Sequence, residues 1–298
     1  MGETQGEAAK LDAYLAQRSR LIRLAYRYLG SASEAEDAVQ DAWLRYAEAS
    51  GVSDPARYLS RIVTNLCLDR LKSARARRET YVGPWLPEPI AGTTDPGDTN
   101  DAALDISYGV MRALEQLTPE ERAVLFLHDL FDLTFEEIAE TLQRSSAACR
   151  QMAVRARNAL SRSKPRFSPN EADLNRFMAS FSQTLQSGDI EPLKAMLTED
   201  VEFVSDGGGK VASALNVVAG AENVARLLYG LARKFVGNAE LGLRLVTING
   251  APGLLVAIDG KLDQTMSFTV DENGTIAAIY VVRNPDKLSG FAPPRAAE

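Results

Sequence analysis

The chain has one histidine, two cysteines and no long apolar run. A single histidine, His128, excludes Ser-His and Cys-His nucleophile pairs and multi-histidine metal sites. Cys67 and Cys149 lack any CxxC partner and sit in helical patterns, so they read as small buried apolar residues, and neither a disulfide nor a zinc site is expected. No stretch approaches the roughly 18 apolar residues of a membrane span, and the first residues are polar and acidic, with no apolar signal region. A cytoplasmic protein is expected, with no catalytic residues, cofactor or metal.

What the chain does have is segregated charge. Its formal net charge is -7, an acidic balance that argues against nucleic-acid binding at first sight. The average conceals two basic stretches. Between Arg57 and Arg78 seven basic residues face one acid, Asp69; between Arg144 and Arg166 there are seven basic residues and no acid. Six acids and no Lys or Arg lie between Glu79 and Met111, and residues 168–298 carry sixteen acids against eleven basic residues. Two separate nucleic-acid contacts with an appended domain that does not join in are therefore expected.

The most telling segment runs from Thr134 to Arg162. A short helix, a three-residue polar turn and a second, acid-free cationic helix describe a helix-turn-helix. Thr134 and Glu137 have capping-box spacing. In the second helix Cys149, Ala153, Ala156 and Leu160 form the inward stripe, which leaves Ser146, Arg150, Gln151, Val154 and Arg155 outward. Arg suits guanine and Gln suits adenine in a major groove, so this outward set fits base reading.

Upstream, a helix from about residue 10 to 29 ends at Gly30, and Ser33 with Glu36 has the spacing of a second capping box. The helix after it turns Ala38, Val39, Ala42, Trp43 and Tyr46 inward and leaves Asp37, Gln40, Asp41 and Arg45 as a polar face. Asp54-Pro55 starts a third helix with Tyr58, Leu59, Ile62, Val63, Leu66 and Leu71 as core candidates. Repeated prolines make residues 81–98 a linker, yet Trp85, Leu86 and Ile90 are too apolar for a passive tether, so part of it is expected to dock. Helices resume near Leu104, and Thr118-Pro119-Glu120-Glu121 caps the helix that leads into the helix-turn-helix.

From Ser168 the texture changes. Helices are expected at about 170–187, 189–197 and 221–235, followed by strands at Leu241–Ile248, Gly253–Ile258, Gln264–Val270 and Thr275–Val282, with turns at Asn249-Gly250 and Asn273-Gly274. The pattern is α+β, helices against a curved antiparallel sheet.

The order of parts resembles a sigma factor of the extracytoplasmic-function type. Ala35-Glu36-Asp37-Ala38-Val39-Gln40-Asp41-Ala42-Trp43-Leu44 is similar to the family's polymerase-clamp helix, and Tyr58 to Leu71 to its −10 recognition segment. Leu117 to Leu125 and Thr134 to Glu140 resemble its −35-binding domain. The resemblance implies that Asp37, Gln40, Asp41 and Arg45 contact core RNA polymerase, and that Asn65 reads an extruded −10 base. Arg61, Arg70, Lys72 and Arg75 would hold nearby phosphates, while Arg144, Ser146, Arg150, Gln151 and Arg155 serve the −35 element. The C-terminal part resembles a SnoaL-like, nuclear-transport-factor-like cone. Asp206-Gly207-Gly208-Gly209-Lys210, Asn284-Pro285-Asp286-Lys287-Leu288 and the linker around Trp85 look like motifs of the subgroup that carries this domain fused. That implies a regulator attached in cis, with no separate anti-sigma factor expected.

The expected fold is multidomain: two all-α sigma domains and a C-terminal α+β cone. The expected boundaries are 8–80 for the core- and −10-binding domain, 81–107 for the linker, 108–167 for the −35-binding domain, 168–290 for the cone and 291–298 for a tail. Catalysis in the cone by Asp206 or Asp259 with Lys210 is disfavoured by the missing histidine, and the glycine run lacks the frame of a phosphate loop. A small-molecule ligand in the cone and pure domain docking remain open. The alternative for the whole chain is a helix-turn-helix transcription regulator with a ligand-binding or enzymatic cone, which would need no clamp-binding helix.

Overall fold

The structure is a computed structural model that describes residues 2–79, 81–91, 108–162, 167–235 and 239–291, with backbone only for 2–6, 73–79 and 162. The described chain divides into two compact units, one of residues 2–79 and 111–162, the other of 81–91, 108–110 and 167–291.

The first unit is helical: α1 (Gly2–Leu29), α2 (Ala32–Glu48), α3 (Pro55–Glu79), the end of α4 (Tyr108–Leu114), α5 (Pro119–Phe131), α6 (Phe135–Leu142) and α7 (Ser146–Arg162). The first three pack around Leu21, Leu24, Ala38, Val39, Ala42, Leu59, Val63 and Cys67, all nearly or wholly buried. Burial pushes the Cys67 thiol far above its usual range, as befits an inert core residue. Capping boxes at Thr118 with Glu121 and Thr134 with Glu137 are both closed, satisfying backbone N–H groups that each helix start leaves unpaired. The start of α2 differs from expectation. Its N-cap is Ser31, whose hydroxyl accepts from the Glu34 N–H, so the cap lies two residues before Ser33. Gly30, at φ 69°, ends α1 and leaves Ser31 as the first extended residue.

The helix-turn-helix packs on the three-helix bundle inside this unit. Tyr28 and Phe126 meet edge to face at 5.1 Å, and the Arg122 guanidinium donates to the Tyr28 carbonyl at 3.2 Å. Arg20 lies 4.3 Å over the Phe131 ring and donates to the Leu130 carbonyl.

The second unit sets α8 (Glu171–Ser187), α9 (Glu191–Lys194) and α10 (Ala221–Arg233) against a six-stranded sheet in the order β2-β1-β6-β5-β4-β3. The strands are β1 (Leu197–Asp206), β2 (Val218–Ala219), β3 (Leu241–Ile248), β4 (Ala251–Ile258), β5 (Lys261–Val270) and β6 (Ile276–Val282). Two expectations are corrected. The helix expected over 189–197 stops at Lys194, since Leu197 already opens β1, and the sheet is mixed because β1 runs parallel to β6.

Both faces of the sheet are covered, which accounts for the unbroken apolar run of β6. Ile279 and Val281 join the helices' core, whereas Ala278, Tyr280 and Val282 face a second core with Leu86, Tyr108, Leu255, Leu288 and Phe291. The helices therefore cover one face and the linker covers the other.

Candidate nucleic-acid interface and linker clasp

On α7 the inward stripe holds Cys149, Met152, Ala153 and Ala156, each at most 5% exposed. Helical spacing then turns Arg150, Gln151, Val154 and Arg155 to the surface, with Ser146 half-buried at the helix start and Arg144 exposed in the turn. The outward arginines are not bare. Arg144 pairs with Glu120 at 2.8 Å, Arg150 with Glu136 at 3.3 Å, Arg155 with Glu121 at 3.0 Å and Arg157 with Asp129 at 2.6 Å. Every partner lies on α5 or α6, so the motif carries its own counter-charges. Exposed pairs of this kind are worth about 0–1 kcal/mol, less than the roughly 1–3 kcal/mol of a good bidentate base contact. Nucleic acid can displace them.

On α3, Asn65 is exposed beside the buried Thr64 and Leu66. Arg61 sits 3.3 Å from Glu137, and Arg57 reaches the same carboxylate at 2.8 Å. Glu137 is thus both the capping residue of α6 and the anchor of two α3 arginines. Its carboxyl is held below the usual range, first by the Thr134 N–H and then, against some burial, by the Thr134 hydroxyl and Arg57. Arg70, expected on the −10 strand, is engaged within the first unit. Its guanidinium donates to Asp41 and to the Glu34 carbonyl, both at 2.6 Å, and so braces α3 against α2. Lys72 is exposed and pairs with Asp69, while the Arg75 side chain lies outside the described residues.

On α2, Asp37, Gln40 and Arg45 are exposed, and Asp41 is half-engaged by Arg70. Leu44, which closes the clamp-like motif without an assigned role there, is 57% exposed among them, an apolar side chain on an otherwise polar face.

The second unit gathers Asp206–Lys210 and Asn284–Leu288 around the linker. The Asp206 carboxylate is fully buried and accepts four hydrogen bonds. Oδ1 takes the Tyr81 hydroxyl at 2.7 Å and the Gly208 N–H at 3.0 Å; Oδ2 takes the Leu86 N–H at 2.9 Å and the Lys287 ammonium at 2.7 Å. Lys287 also donates to the Leu86 carbonyl at 2.5 Å and lies 4.3 Å over the Trp85 ring. Asn284 donates to the Tyr81 hydroxyl at 2.9 Å, while burial and the neighbouring carboxylate push that hydroxyl's pKa well above its usual range. The three glycines have separate reasons to be glycine. A Cβ on Gly207 would lie 2.4 Å from the Val211 carbonyl, and one on Gly208, at φ 63°, would lie 2.3 Å from Asn284 Nδ2. Gly209, at φ 70°, packs on Val82.

Further along, Leu86 is fully buried, Tyr108 donates to the Pro87 carbonyl, and Ile90 exchanges two hydrogen bonds with Asn249 at 2.9 and 3.0 Å. Residues 81–91 are therefore fastened at both ends. Lys210 and Asp286 close an exposed pair across the outside of the clasp, and Pro285 begins the 3-10 turn Pro285–Lys287 that aims Lys287 inward. Among the described residues no group of three His, Cys, Asp or Glu could hold a metal ion, and no helix is long and apolar enough to cross a membrane.

Comparison with known proteins places the chain in a family. Residues 13–77 match Sigma-70 region 2 and residues 109–160 match Sigma-70, region 4. The ECF RNA polymerase sigma factor SigJ of Mycobacterium tuberculosis is 36% identical over 294 residues, covering 94% of each chain. A probable ECF RNA polymerase sigma factor, SigI, of the same species is 29% identical over 281 residues, covering 93% of each. The crystal structure of the M. tuberculosis extracytoplasmic function sigma factor SigJ matches with a TM-score of 0.75 at 32% identity, over 95% of this chain and 100% of that one. With two sigma modules in order, an α+β C-terminal part, and such identity along nearly its whole length, the chain belongs to the ECF RNA polymerase sigma factors, which direct transcription initiation at specific promoters and are not enzymes.

Proposed function

We propose that this sigma factor meets core polymerase through Asp37, Gln40, Leu44 and Arg45 on α2, reads the −10 element with Asn65 supported by Arg61, and reads the −35 element with Arg150 and Gln151. In this reading Arg144, Ser146 and Arg155 orient α7 on phosphates, Lys72 and Arg75 serve the −10 strand, and Asp41 with Arg70 acts as the brace that holds the first two contacts in register. The packed first unit is a resting arrangement. Glu137 engages Arg57 and Arg61, so use of Arg61 on a melted strand requires α6 to let it go.

The regulator is carried in cis. Residues 81–91 lie in sequence between the two promoter-reading modules, and the C-terminal unit holds them. The observation that carries this reading is the buried Asp206 carboxylate, which accepts from the linker at Tyr81 and Leu86 and is closed by Lys287. A buried, fully bonded charge fixes one geometry strongly, because any displacement strands a charge away from water. Holding the linker limits how far the two modules separate.

Run-off transcription with core polymerase tests the proposal on the full chain and on chains ending at residues 283 and 167. Promoter-specific transcripts from the full chain, with changed output when the Asn284–Leu288 half of the clasp is removed, are expected. Equal output from all three at matched concentration would leave the C-terminal unit without a regulatory part.

A further inference from the structure

The helix-covered face of the C-terminal sheet encloses a cavity of about 540 Å³ between α8, α10 and the strands. Native interiors hold few voids larger than a water molecule, whereas small-molecule sites run to roughly 300–1,000 Å³. The lining is mostly apolar. Four phenylalanines, Phe177, Phe181, Phe203 and Phe235, share the wall with Met178 and Met266, an arrangement of flat faces and adaptable thioethers suited to a ring system.

Polar groups gather at one side, where Ser205, Ser213 and Gln264 stand beside Arg283. The Arg283 guanidinium is already neutralised, because Asp263 binds it with two hydrogen bonds at 2.8 and 3.2 Å. Its remaining amino group donates to the Ala212 carbonyl. A charged ligand group placed there would have to break that pair, while a hydroxyl or carbonyl finds Ser and Gln partners.

The same backbone that walls the cavity also builds the clasp. Ser205 lines the cavity and the next residue, Asp206, holds the linker from the opposite face; Arg283 lines the cavity and the next, Asn284, bonds Tyr81. Ser205 and Asp206 pair in register with Val281 and Val282, the residues that lead directly into Arg283 and Asn284. On the third side Ala214 lines the cavity while its carbonyl and Leu215 pack against linker residue Gly83.

We infer that this cavity is a binding site for a neutral, flat, ring-containing lipophile with one hydroxyl or carbonyl end, and that its occupancy is transmitted through Ser205/Asp206 and Arg283/Asn284 to the linker clasp. The coupling half rests on the cis-regulatory reading; the binding half does not.

The test uses the full chain and 6-propionyl-2-(dimethylamino)naphthalene, a neutral flat ketone whose emission reports polarity. Saturable single-site binding with blue-shifted emission is expected. Leu231→Trp and Ser213→Phe, which fill the cavity from its rim and from its polar side, should each weaken binding at least about tenfold while circular dichroism and melting confirm folding. The naphthalene carboxylate of the same ring system should bind at least about tenfold more weakly. Hydrogen exchange of the peptide containing Leu86, whose amide bonds Asp206, should change at least about threefold at saturation. Non-saturable binding, or binding untouched by both filling variants, overturns the site. Equal binding of the carboxylate overturns the ligand class. Unchanged exchange at Leu86 under saturating probe overturns the transmission, whereas failure of the cis-regulatory reading shows separately in the truncation series.

Discussion

Replacing Asp206 with asparagine keeps the shape of the clasp and removes its charge, which makes it the sharpest perturbation of linker docking. Each carboxylate oxygen now accepts two donors: Tyr81 and Gly208 on Oδ1, Leu86 and Lys287 on Oδ2. An amide supplies one accepting oxygen, and its NH2 must face one of those donor pairs. The Tyr81 hydroxyl offers little relief, since it already accepts from Asn284. Lys287, only 13% exposed, also loses its counter-charge. Breaking a buried pair by removing one partner costs about 3–5 kcal/mol. If that cost of about 3–5 kcal/mol falls on docking, the undocked linker becomes roughly a hundredfold to four-thousandfold more populated, since about 1.4 kcal/mol is tenfold. Chymotrypsin reads this directly, because Tyr81 and Trp85 are cleavable only when residues 81–91 leave the sheet, and cleavage tracks the open population when reclosing is fast. Asp206→Asn should be cut there far faster than wild type. Asp206→Asn with Lys287→Met should recover much of the protection, because the stranded ammonium is gone. Wild-type cleavage kinetics in folded Asp206→Asn, or strictly additive effects in the double variant, would refute the reasoning.

Gly208→Ala places a Cβ 2.3 Å from Asn284 Nδ2 at a positive φ, so it should loosen the same clasp, with faster Tyr81 cleavage and a drop in melting temperature. Arg150→Ala and Gln151→Ala should each lower discrimination between matched and mismatched −35 duplexes by about 1–3 kcal/mol in competition binding, and equal weakening on both duplexes would demote them to phosphate contacts. Glu137, whose carboxyl is held below its ordinary 4.5, stabilises the first unit above that value and loses its contribution as pH falls through the lower folded value. Melting of Glu137→Gln against wild type should therefore differ at neutral pH and converge under acid; a constant gap would show that the charge plays no part.

Local signals carried most of the helical half. Thr118, Thr134 and Asp54 cap the helices their spacing announces, because a cap depends on only three or four residues. The Ser33 cap fails for the same reason: Ser31 stands three residues before Glu34 just as Ser33 stands three before Glu36, and only the fold of Gly30 chooses between them. Leu197–Asp206 was not legible as a strand, since the parallel partner that defines it is β6, about eighty residues later. The site shows the same division. The outward face of α7 follows from helical periodicity, whereas Arg70 bonding Asp41, Arg61 meeting Glu137, and Asp206 grasping Leu86 are tertiary pairings with no trace in local pattern.

The acids that pair with the α7 arginines also bear on how the chain behaves among large amounts of irrelevant DNA. Binding to a duplex is driven largely by release of small cations when protein charges replace them, in proportion to the phosphates neutralised. On the proposed reading, Arg144, Arg150 and Arg155 would reach the duplex only after giving up Glu120, Glu136 or Glu121, carboxylates that would remain nearby and repel the phosphates. The effective charge offered to a random sequence is thus smaller than the arginine count, and so is the dependence of affinity on ionic strength. Correct base contacts would then have to supply what electrostatics withholds, and a free subunit built this way would stay uncommitted until polymerase and promoter present those contacts together.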